Sequence, residues 1–223
     1  MKRTLFLEAI LKFLLGVVLI GMLIFLPAGT LRFFAGWLFM GILFVPMFLA
    51  GLVMLAKNPQ LLQSRLKAKE KQREQDMVVK LSGLMFIAGF VVAGLDFRFN
   101  WLPMPSWVKW AGAAVFLFAY CLYAEVLREN TFLSRTIEVQ EGQTVVDTGL
   151  YGIVRHPMYA VTLLLFLSMP FVLGSLLSFL CFLPYPFLIA KRLLNEEAFL
   201  EKELPGYTEY KQKVKYRLIP GIW

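Results

Sequence analysis

The sequence carries little charge for its length. Asp, Glu, Lys and Arg make up 17% of its 223 residues, whereas 59% of the residues are hydrophobic. The mean hydropathy is +0.66. A soluble domain carries roughly a quarter charged residues. The excess of apolar side chains therefore needs a solvent other than water, and a soluble globular domain is excluded.

Cysteine is scarce, and the common nucleotide-binding and metal-binding motifs are missing. Cys121 and Cys181 both lie inside apolar runs, where cysteine acts as a small packing residue rather than as half of a disulfide or metal site. The chain contains no GxGxxG, GxxxxGKS/T, HExxH or CxxC pattern. Soluble nucleotide-binding folds and zinc sites therefore have no support, and we expect no bound metal.

The charge that is present is mostly positive, with a net charge of +8. A basic soluble protein would suggest a nucleic-acid partner. In this chain Lys and Arg stand in loops beside apolar segments, as they do in the cytoplasmic loops of membrane proteins. We therefore expect membrane lipids rather than nucleic acid as the partner of this charge.

Six apolar segments follow one another along the chain. They cover about residues 5–26, 31–56, 77–97, 107–127, 158–170 and 171–190. A membrane-spanning helix needs ~20 mostly apolar residues, so the first four segments qualify. The last two form one broken run, with Pro170 and Gly174 where a hairpin would turn, and the fifth segment is short for a full crossing.

These segments predict an all-α, polytopic membrane helix bundle. We expect four spanning helices in residues 1–127, followed by a C-terminal region, residues 128–223, that contains a membrane hairpin over 158–190 and a cytoplasmic tail. The first segment favours a retained helix over a cleaved signal peptide, because it is long and no small-x-small site follows it.

The distribution of basic residues predicts the orientation in the membrane. The loop between the second and third segments holds Lys57, Arg65, Lys67, Lys69, Lys71 and Arg73, whereas the two opposite loops hold only Arg32, Arg98 and Lys109. Lys and Arg accumulate in cytoplasmic loops, so both termini should lie in the cytoplasm. The protein would be a multi-pass protein of the plasma membrane if its host is prokaryotic.

Two polar clusters flank the hairpin. Arg155 and the single histidine, His156, precede it, and Pro157 suits the first turn of a helix, which places His156 near the N-cap. Arg192 and Glu196 follow the hairpin and share one helix face. Because both ends of a hairpin lie at one membrane face, the clusters should meet.

The two clusters allow a chemical interpretation and a structural one. An arginine in the second cluster can hold a carboxylate in a bidentate contact, and a glutamate can hold an amine or a ribose hydroxyl. The structural alternatives are interfacial anchors in the first cluster and a solvated ion pair in the second.

Two further local features follow from the pattern. The alternating residues 136–139 and 144–146, with Gly142 between them, are typical of a short extended segment or hairpin. A short helix over about 207–216 should follow the break at Pro205 and Gly206.

The C-terminal third contains a longer pattern. It runs Gly-x-Tyr, Arg-His-Pro-x-Tyr, an apolar hairpin, Arg-x-x-x-Glu-Glu, Gly, Tyr-x-x-Tyr and a final Arg and Pro. The residues in this pattern are Gly149, Tyr151, Arg155, His156, Pro157, Tyr159, Arg192, Glu196, Glu197, Gly206, Tyr207, Tyr210, Arg217 and Pro220, with Asn130 and Ser134 upstream. Residues 130–223 therefore resemble the isoprenylcysteine carboxyl methyltransferase family and the related phospholipid methyltransferases.

The resemblance implies transfer of a methyl group from S-adenosyl-L-methionine to an acceptor from the bilayer, a lipidic or prenylated carboxylate such as isoprenylcysteine. It implies a cofactor pocket lined by Gln143, Thr144, Val145, Val146, Tyr151, His156, Pro157, Met158, Tyr159 and Glu196. It also implies that Arg192 binds the acceptor carboxylate and is the catalytic residue. Around residues 204–207 the chain departs from the pattern by one residue, which weakens the assignment of Tyr207.

Two other functions remain open. Residues 216–223 also resemble the C-termini of sterol reductases, which are NADPH-dependent membrane oxidoreductases. A non-enzymatic transporter or scaffold is the other alternative, although transporters of this kind usually show two related halves. Neither the acceptor nor the oligomeric state follows from the sequence.

Overall fold

The computed structural model describes residues 2–66, 73–134 and 137–223, and within these ranges the chain forms helices and loops. In chain order they are α1 (Lys2–Ala28), α2 (Phe34–Lys57), α3 (Pro59–Leu66), α4 (Arg73–Phe99), α5 (Ser106–Glu129), a 3-10 turn (Gly149–Gly152), α6 (Pro157–Leu173), α7 (Leu176–Phe182), α8 (Tyr185–Glu203) and α9 (Tyr207–Lys213). The described residues form no β-strand, only an isolated bridge between Pro103 and Ser175. The predicted all-α bundle is confirmed.

Among the described residues, five stretches are long and apolar enough to cross a membrane. They are Arg3–Ala28, Phe34–Lys57, Asp76–Phe99, Ser106–Glu129 and Leu176–Glu203. The first four match the predicted spans, and the fifth joins α7 to α8 across a break at Leu183 and Pro184. Helix α6 has 17 residues. Its length of about 25 Å falls short of the hydrocarbon core, as its short apolar segment predicted.

The outer surface of the bundle is apolar. Leu11, Leu26 and Trp107 are each about 70% exposed, and Phe187 is 78% exposed. Side chains of this kind are rarely clustered on the surface of a soluble protein, but they are the normal lipid-facing surface of a membrane helix. The exposed surface therefore supports the membrane assignment independently of hydropathy.

The interior of the bundle is filled mainly by aromatic rings and closely approaching helices. Phe39, Phe116 and Phe182 are fully buried. Helix α1 lies against α4 at Gly94, where an added Cβ would meet the Ile24 carbonyl oxygen at 2.5 Å. Helix–helix contact in lipid depends on such small residues, because there is no hydrophobic driving force between the helices.

One end of the bundle, which we name the turn end, consists of the connections at residues 29–33, 100–105 and 174–175. The hairpin turns at Gly174, which has a φ of 73°. Asp96 joins two of these connections, because its carboxylate accepts hydrogen bonds from the Leu102 N–H at 2.9 Å and from the Ser175 hydroxyl at 2.6 Å. Asp96 therefore has the structural role expected of a charged group near a helix end.

The opposite end, which we name the site end, holds α3, residues 130–134 and 137–156, the C-terminal half of α8 and the tail. The hairpin formed by α6, α7 and α8 starts and finishes at this end. It therefore brings Arg155 and His156 to Arg192 and Glu196, as the topology argument predicted. Helix α5 continues past residue 127, the expected boundary of the C-terminal region, to Glu129.

Two local expectations differ from the structure. Residues 137–146 form a turn rather than paired strands, with Gly142 at a φ of 73° and the Gln143 N–H donating to the Gln140 carbonyl oxygen at 3.0 Å. Helix α9 ends at Lys213 rather than near residue 216, because Arg155 binds the carbonyl oxygens of the next two residues. Residue Thr136 and the loop residues Lys67, Lys69 and Lys71 lie outside the described residues.

The orientation can be tested with reporter insertions. A reporter that is active only in the cytoplasm should be active after residue 70 and inactive after residue 103, because the positive charge lies in the first of these loops. The reverse result would place the site end on the other side of the membrane.

Candidate functional site

A cleft opens at the site end between residues 130–134 and 137–146, the first turn of α6, the second half of α8 and α9. Including the space at its open mouth, the cleft has an empty volume of about 820 Å³. The enclosed part is much smaller, because the space in which the centre of a water molecule fits is about 90 Å³. A ligand of nucleoside size therefore needs the open part of the cleft and some movement of the side chains around it.

Nearly all of the predicted site residues line this cleft. They are Gln143, Thr144, Val145, Val146, Tyr151, His156, Met158, Tyr159, Arg192 and Glu196. Pro157 does not line it. That residue occupies the first position of α6, where the absence of its N–H costs nothing, and it faces a separate apolar cavity between α6 and the tail.

The Glu197 carboxylate is the central charge beneath the cleft. One oxygen accepts a hydrogen bond from Arg155 Nε at 2.7 Å and lies 3.2 Å from His156 Nε2, and the other accepts from Arg217 Nε at 2.9 Å. The Arg155 and Glu197 side chains are each 5% exposed. A buried pair of this kind is stable only with such additional partners. Glu197 therefore joins the start of α6, helix α8 and the tail.

Arg155 holds the tail in place as well. Its Nη1 donates to the carbonyl oxygens of Val214 and Lys215, each at 2.8 Å. The Arg155 N–H donates to the Tyr216 carbonyl oxygen at 2.9 Å. These bonds end α9 and direct the tail along the back of the cleft.

A second polar chain runs along the wall of the cleft. Arg192 Nε donates to the Tyr159 hydroxyl at 3.1 Å, and that hydroxyl donates in turn to the Glu196 carboxylate. Arg192 is buried, with 9% exposure. The phenol of Tyr159 thus orients one cation and one carboxylate on the same face of α8. This arrangement presents a positive group and an acceptor group to the cleft side by side.

Three tyrosines complete the lining. The Tyr210 hydroxyl donates to the Tyr151 carbonyl oxygen at 2.7 Å, and the Tyr207 hydroxyl lies 3.4 Å from His156 Nε2. Burial raises the pKa of Tyr207, and the charges of Glu197 and Glu196 raise it further. Burial also raises the pKa of Tyr210. Both phenols therefore remain protonated donors at physiological pH.

The Tyr151 hydroxyl differs from the other two. It is buried against the cleft, and within the described part of the chain it has no partner at hydrogen-bonding geometry. Burial raises its pKa, and the nearby Asn130 amide offsets part of that rise. A buried hydroxyl without an acceptor costs roughly 1–3 kcal/mol. An acceptor atom on a bound ligand would remove that cost.

Some lining residues were not predicted. Glu138, Leu200 and Leu204 line the cleft. Leu200 follows Glu196 by four residues, so the shared helix face could have indicated it. Tyr207 also lines the cleft, despite the one-residue departure from the family pattern. No local signal points to Glu138, because its position depends on the fold of residues 130–146.

Comparison with known proteins agrees with this architecture. Residues 107–205 match the phospholipid methyltransferase family model. This matched stretch, which we call the family region, makes up less than half of the chain. That family includes the isoprenylcysteine carboxyl methyltransferases and the sterol reductases, so the resemblance predicted from the C-terminal pattern is confirmed. The match extends from α5 through α8 and includes most of the cleft.

The chain is also similar to the Delta(14)-sterol reductase TM7SF2 of Mus musculus. The two are 33% identical over 91 residues, which is 40% of this chain and 22% of the reductase. The match therefore covers less than a quarter of that relative. Sterol reduction is the activity of that relative and reaches this chain only as a candidate.

Substitution of Glu197 by glutamine should destabilise the site end. The change leaves Arg155 buried without its carboxylate, which costs about 3 kcal/mol or more. We expect the melting temperature in detergent to fall by roughly 10 °C. The matched control is Glu201→Gln on the same helix, because Glu201 pairs with Lys211 near the surface and should shift melting by roughly 2 °C at most. Equal melting of both variants would contradict the central role of Glu197.

Proposed function

We propose that this protein is an integral membrane methyltransferase that uses S-adenosyl-L-methionine to methylate a carboxylate oxygen of a lipidic acceptor. The observation that supports it most is the cleft within the phospholipid methyltransferase family region, where Arg192, Tyr159 and Glu196 form one hydrogen-bonded chain. The cleft lies at the end of a bundle whose sides face lipid. A polar cofactor and an apolar acceptor can therefore meet there.

The cleft has groups that fit the cofactor. Glu196 can accept a hydrogen bond from the ammonium group or a ribose hydroxyl, and the Tyr151 hydroxyl needs an acceptor that the described protein does not provide. Val145, Val146 and Leu200 offer apolar surface for the adenine ring. When bound, the cofactor supplies an electrophilic methyl group on a sulfonium that is its own leaving group.

The chain's own groups would then orient the acceptor. Arg192 can bind the acceptor carboxylate, while Tyr159 fixes the direction of its guanidinium. A carboxylate is already deprotonated at neutral pH, so no general base is required. The remaining requirement is alignment, with the reacting atoms about 3–3.5 Å apart and water partly excluded. Leu200, Leu204 and Tyr207 would provide that exclusion.

An amine acceptor, as in phospholipid methylation, would need different chemistry. A protonated amine must lose a proton before it attacks, and a neighbouring arginine would repel it. Glu196, which would have to take that proton, already accepts a hydrogen bond from the Tyr159 hydroxyl. The arrangement therefore favours a carboxylate, and an isoprenylcysteine-like acceptor entering from the bilayer fits both the arginine and the lipid-facing helices.

We further propose that both termini and the cleft lie on the cytoplasmic side, because the basic loop between α2 and α4 is at the site end. The cofactor would then enter from the cytoplasm. In a prokaryotic host this membrane is the plasma membrane.

The second candidate is an NADPH-dependent reductase. The similarity to the mouse sterol reductase supports this candidate, since the two proteins are 33% identical over a segment that covers 40% of this chain. The choice between the two depends on the cofactor. A single binding experiment can therefore distinguish the candidates.

The first test is calorimetric titration of the detergent-purified protein with S-adenosylhomocysteine, with NADPH as the comparison ligand. We expect saturable binding of S-adenosylhomocysteine only. Glu196→Gln should weaken it at least tenfold, about 1.4 kcal/mol, whereas Glu201→Gln should leave it unchanged. Binding of NADPH alone would favour the reductase, and binding of neither ligand would contradict both candidates.

The second test concerns the acceptor. Arg192→Lys keeps the charge but loses the planar fork, so kcat/KM for a prenylated carboxylate should fall at least tenfold. Binding of S-adenosylhomocysteine should change little, because the guanidinium is assigned to the acceptor. Unchanged kcat/KM in Arg192→Lys would remove Arg192 from the acceptor site.

A further inference from the structure

Arg65 lies outside the family region but reaches the wall of the cleft. It is on α3, between the spans that contain α2 and α4. Its Nη1 donates to the Ser134 carbonyl oxygen at 3.2 Å and lies 3.8 Å from Met158 Sδ. Its Nη2 donates to the Tyr123 hydroxyl, and the guanidinium carbon is 5.7 Å from the centre of that ring.

Helix α3 holds Arg65 in this position. The Ser64 hydroxyl donates to the Leu133 carbonyl oxygen at 3.2 Å, next to the bond between Arg65 and Ser134. Ser134, Leu133 and Met158 all line the cleft. Two consecutive residues of α3 are therefore bonded to the cleft wall, and the guanidinium lies directly behind it.

The partners of Arg65 are all uncharged. Across residues 2–66, 73–134 and 137–223, no carboxylate forms an ion pair with Arg65. Three other arginines of the site end differ, since Arg155 and Arg217 share Glu197 and Arg128 pairs with Glu125. A partly buried cation without a counter-charge is costly, so an anionic ligand nearby would stabilise it.

The charge of Arg65 also acts inside the cleft. Burial is the main cause of the raised pKa of Tyr151, and Glu196 raises it further, but Arg65 lowers it. Arg65 and Glu196 therefore act on the same hydroxyl from different helices. The charge of Arg65 therefore reaches a hydroxyl of the proposed cofactor pocket.

We propose that Arg65 supplies, from behind the cleft wall, the uncompensated positive charge that attracts the anionic head group of the acceptor. This inference rests on the proposed function and adds a second cation to its acceptor site. Arg192 alone offers a weaker field, because Tyr159 links it to the opposite charge of Glu196. Arg65 lies on α3, which follows the span Phe34–Lys57, so an amphiphile that leaves the bilayer beside that span would meet it early.

The test compares one amphiphile in two forms. The probes are an N-acylated, S-prenylated cysteine with a free carboxylate and the same molecule with a carboxamide, both titrated into protein in an uncharged detergent. Arg65→Gln should weaken binding of the carboxylate at least tenfold and leave binding of the carboxamide unchanged. Arg65→Lys should retain carboxylate binding within about threefold, because a point charge suffices for steering.

Two controls accompany these variants. Arg128→Gln removes an exposed arginine that pairs with Glu125 at the same end of the bundle, and it should not change the binding of either probe. Binding of S-adenosylhomocysteine should be the same in the wild type and in all of these variants. A loss of cofactor binding in Arg65→Gln would show that the substitution disturbs the whole cleft.

Several outcomes would overturn the inference. The first is that Arg65→Gln weakens the binding of both probes equally. The second is that Arg65→Lys weakens carboxylate binding as much as Arg65→Gln does. The third is that the wild type binds the carboxylate no more tightly than the carboxamide. Each would mean that Arg65 only fixes α3 to the cleft wall. The proposed function fails separately, if the wild type binds the carboxylate but transfers no methyl group to it.

Discussion

The buried Glu197 carboxylate is the interaction on which the site depends. Arg155 and Arg217 both bond to it, and His156 lies at its edge, so the start of α6, the middle of α8 and the tail converge on one charge. A buried carboxylate must have such partners, because a buried charge without an opposite charge is strongly destabilising. The cleft is therefore held by electrostatics at its base, although apolar packing holds the bundle around it.

The membrane imposes the second constraint. Polar backbone cannot be left unpaired in lipid, so irregular segments are confined to the ends of the bundle. At the turn end they are short, and Asp96 joins two of them. At the site end the long segment between α5 and α6 becomes the wall of the cleft. Chemistry is possible at that end because it is the place where loops, charged groups and lipid-facing helices come together.

The charges around the cleft have separate roles. Glu197 is surrounded by cations and is structural, whereas Arg192 and Glu196 face the cleft and are linked through the Tyr159 hydroxyl. Two neighbouring glutamates of α8 thus have different surroundings, because successive positions on a helix point in different directions. Arg65 adds charge from a helix distant in sequence. The field in the cleft results from both parts of the chain, not from the C-terminal region alone.

The sequence by itself determined the spans, the hairpin at Gly174 and the meeting of His156 with Arg192, because hydropathy and hairpin topology are local or nearly local properties. Through the C-terminal pattern it also identified most of the residues that line the cleft. Pro157 was predicted among them but faces another cavity, because of its position on the helix. Only the tertiary structure decided how the charges are paired. The contact between Arg155 and Glu197 joins residues that lie tens of positions apart, and so do the contacts of Arg65 with Ser134 and Tyr123. No spacing rule predicts such contacts, because they depend on how the helices pack. The turn at Gly142 and the early end of α9 have the same origin, because long-range hydrogen bonds outweigh the weak local preference of short segments.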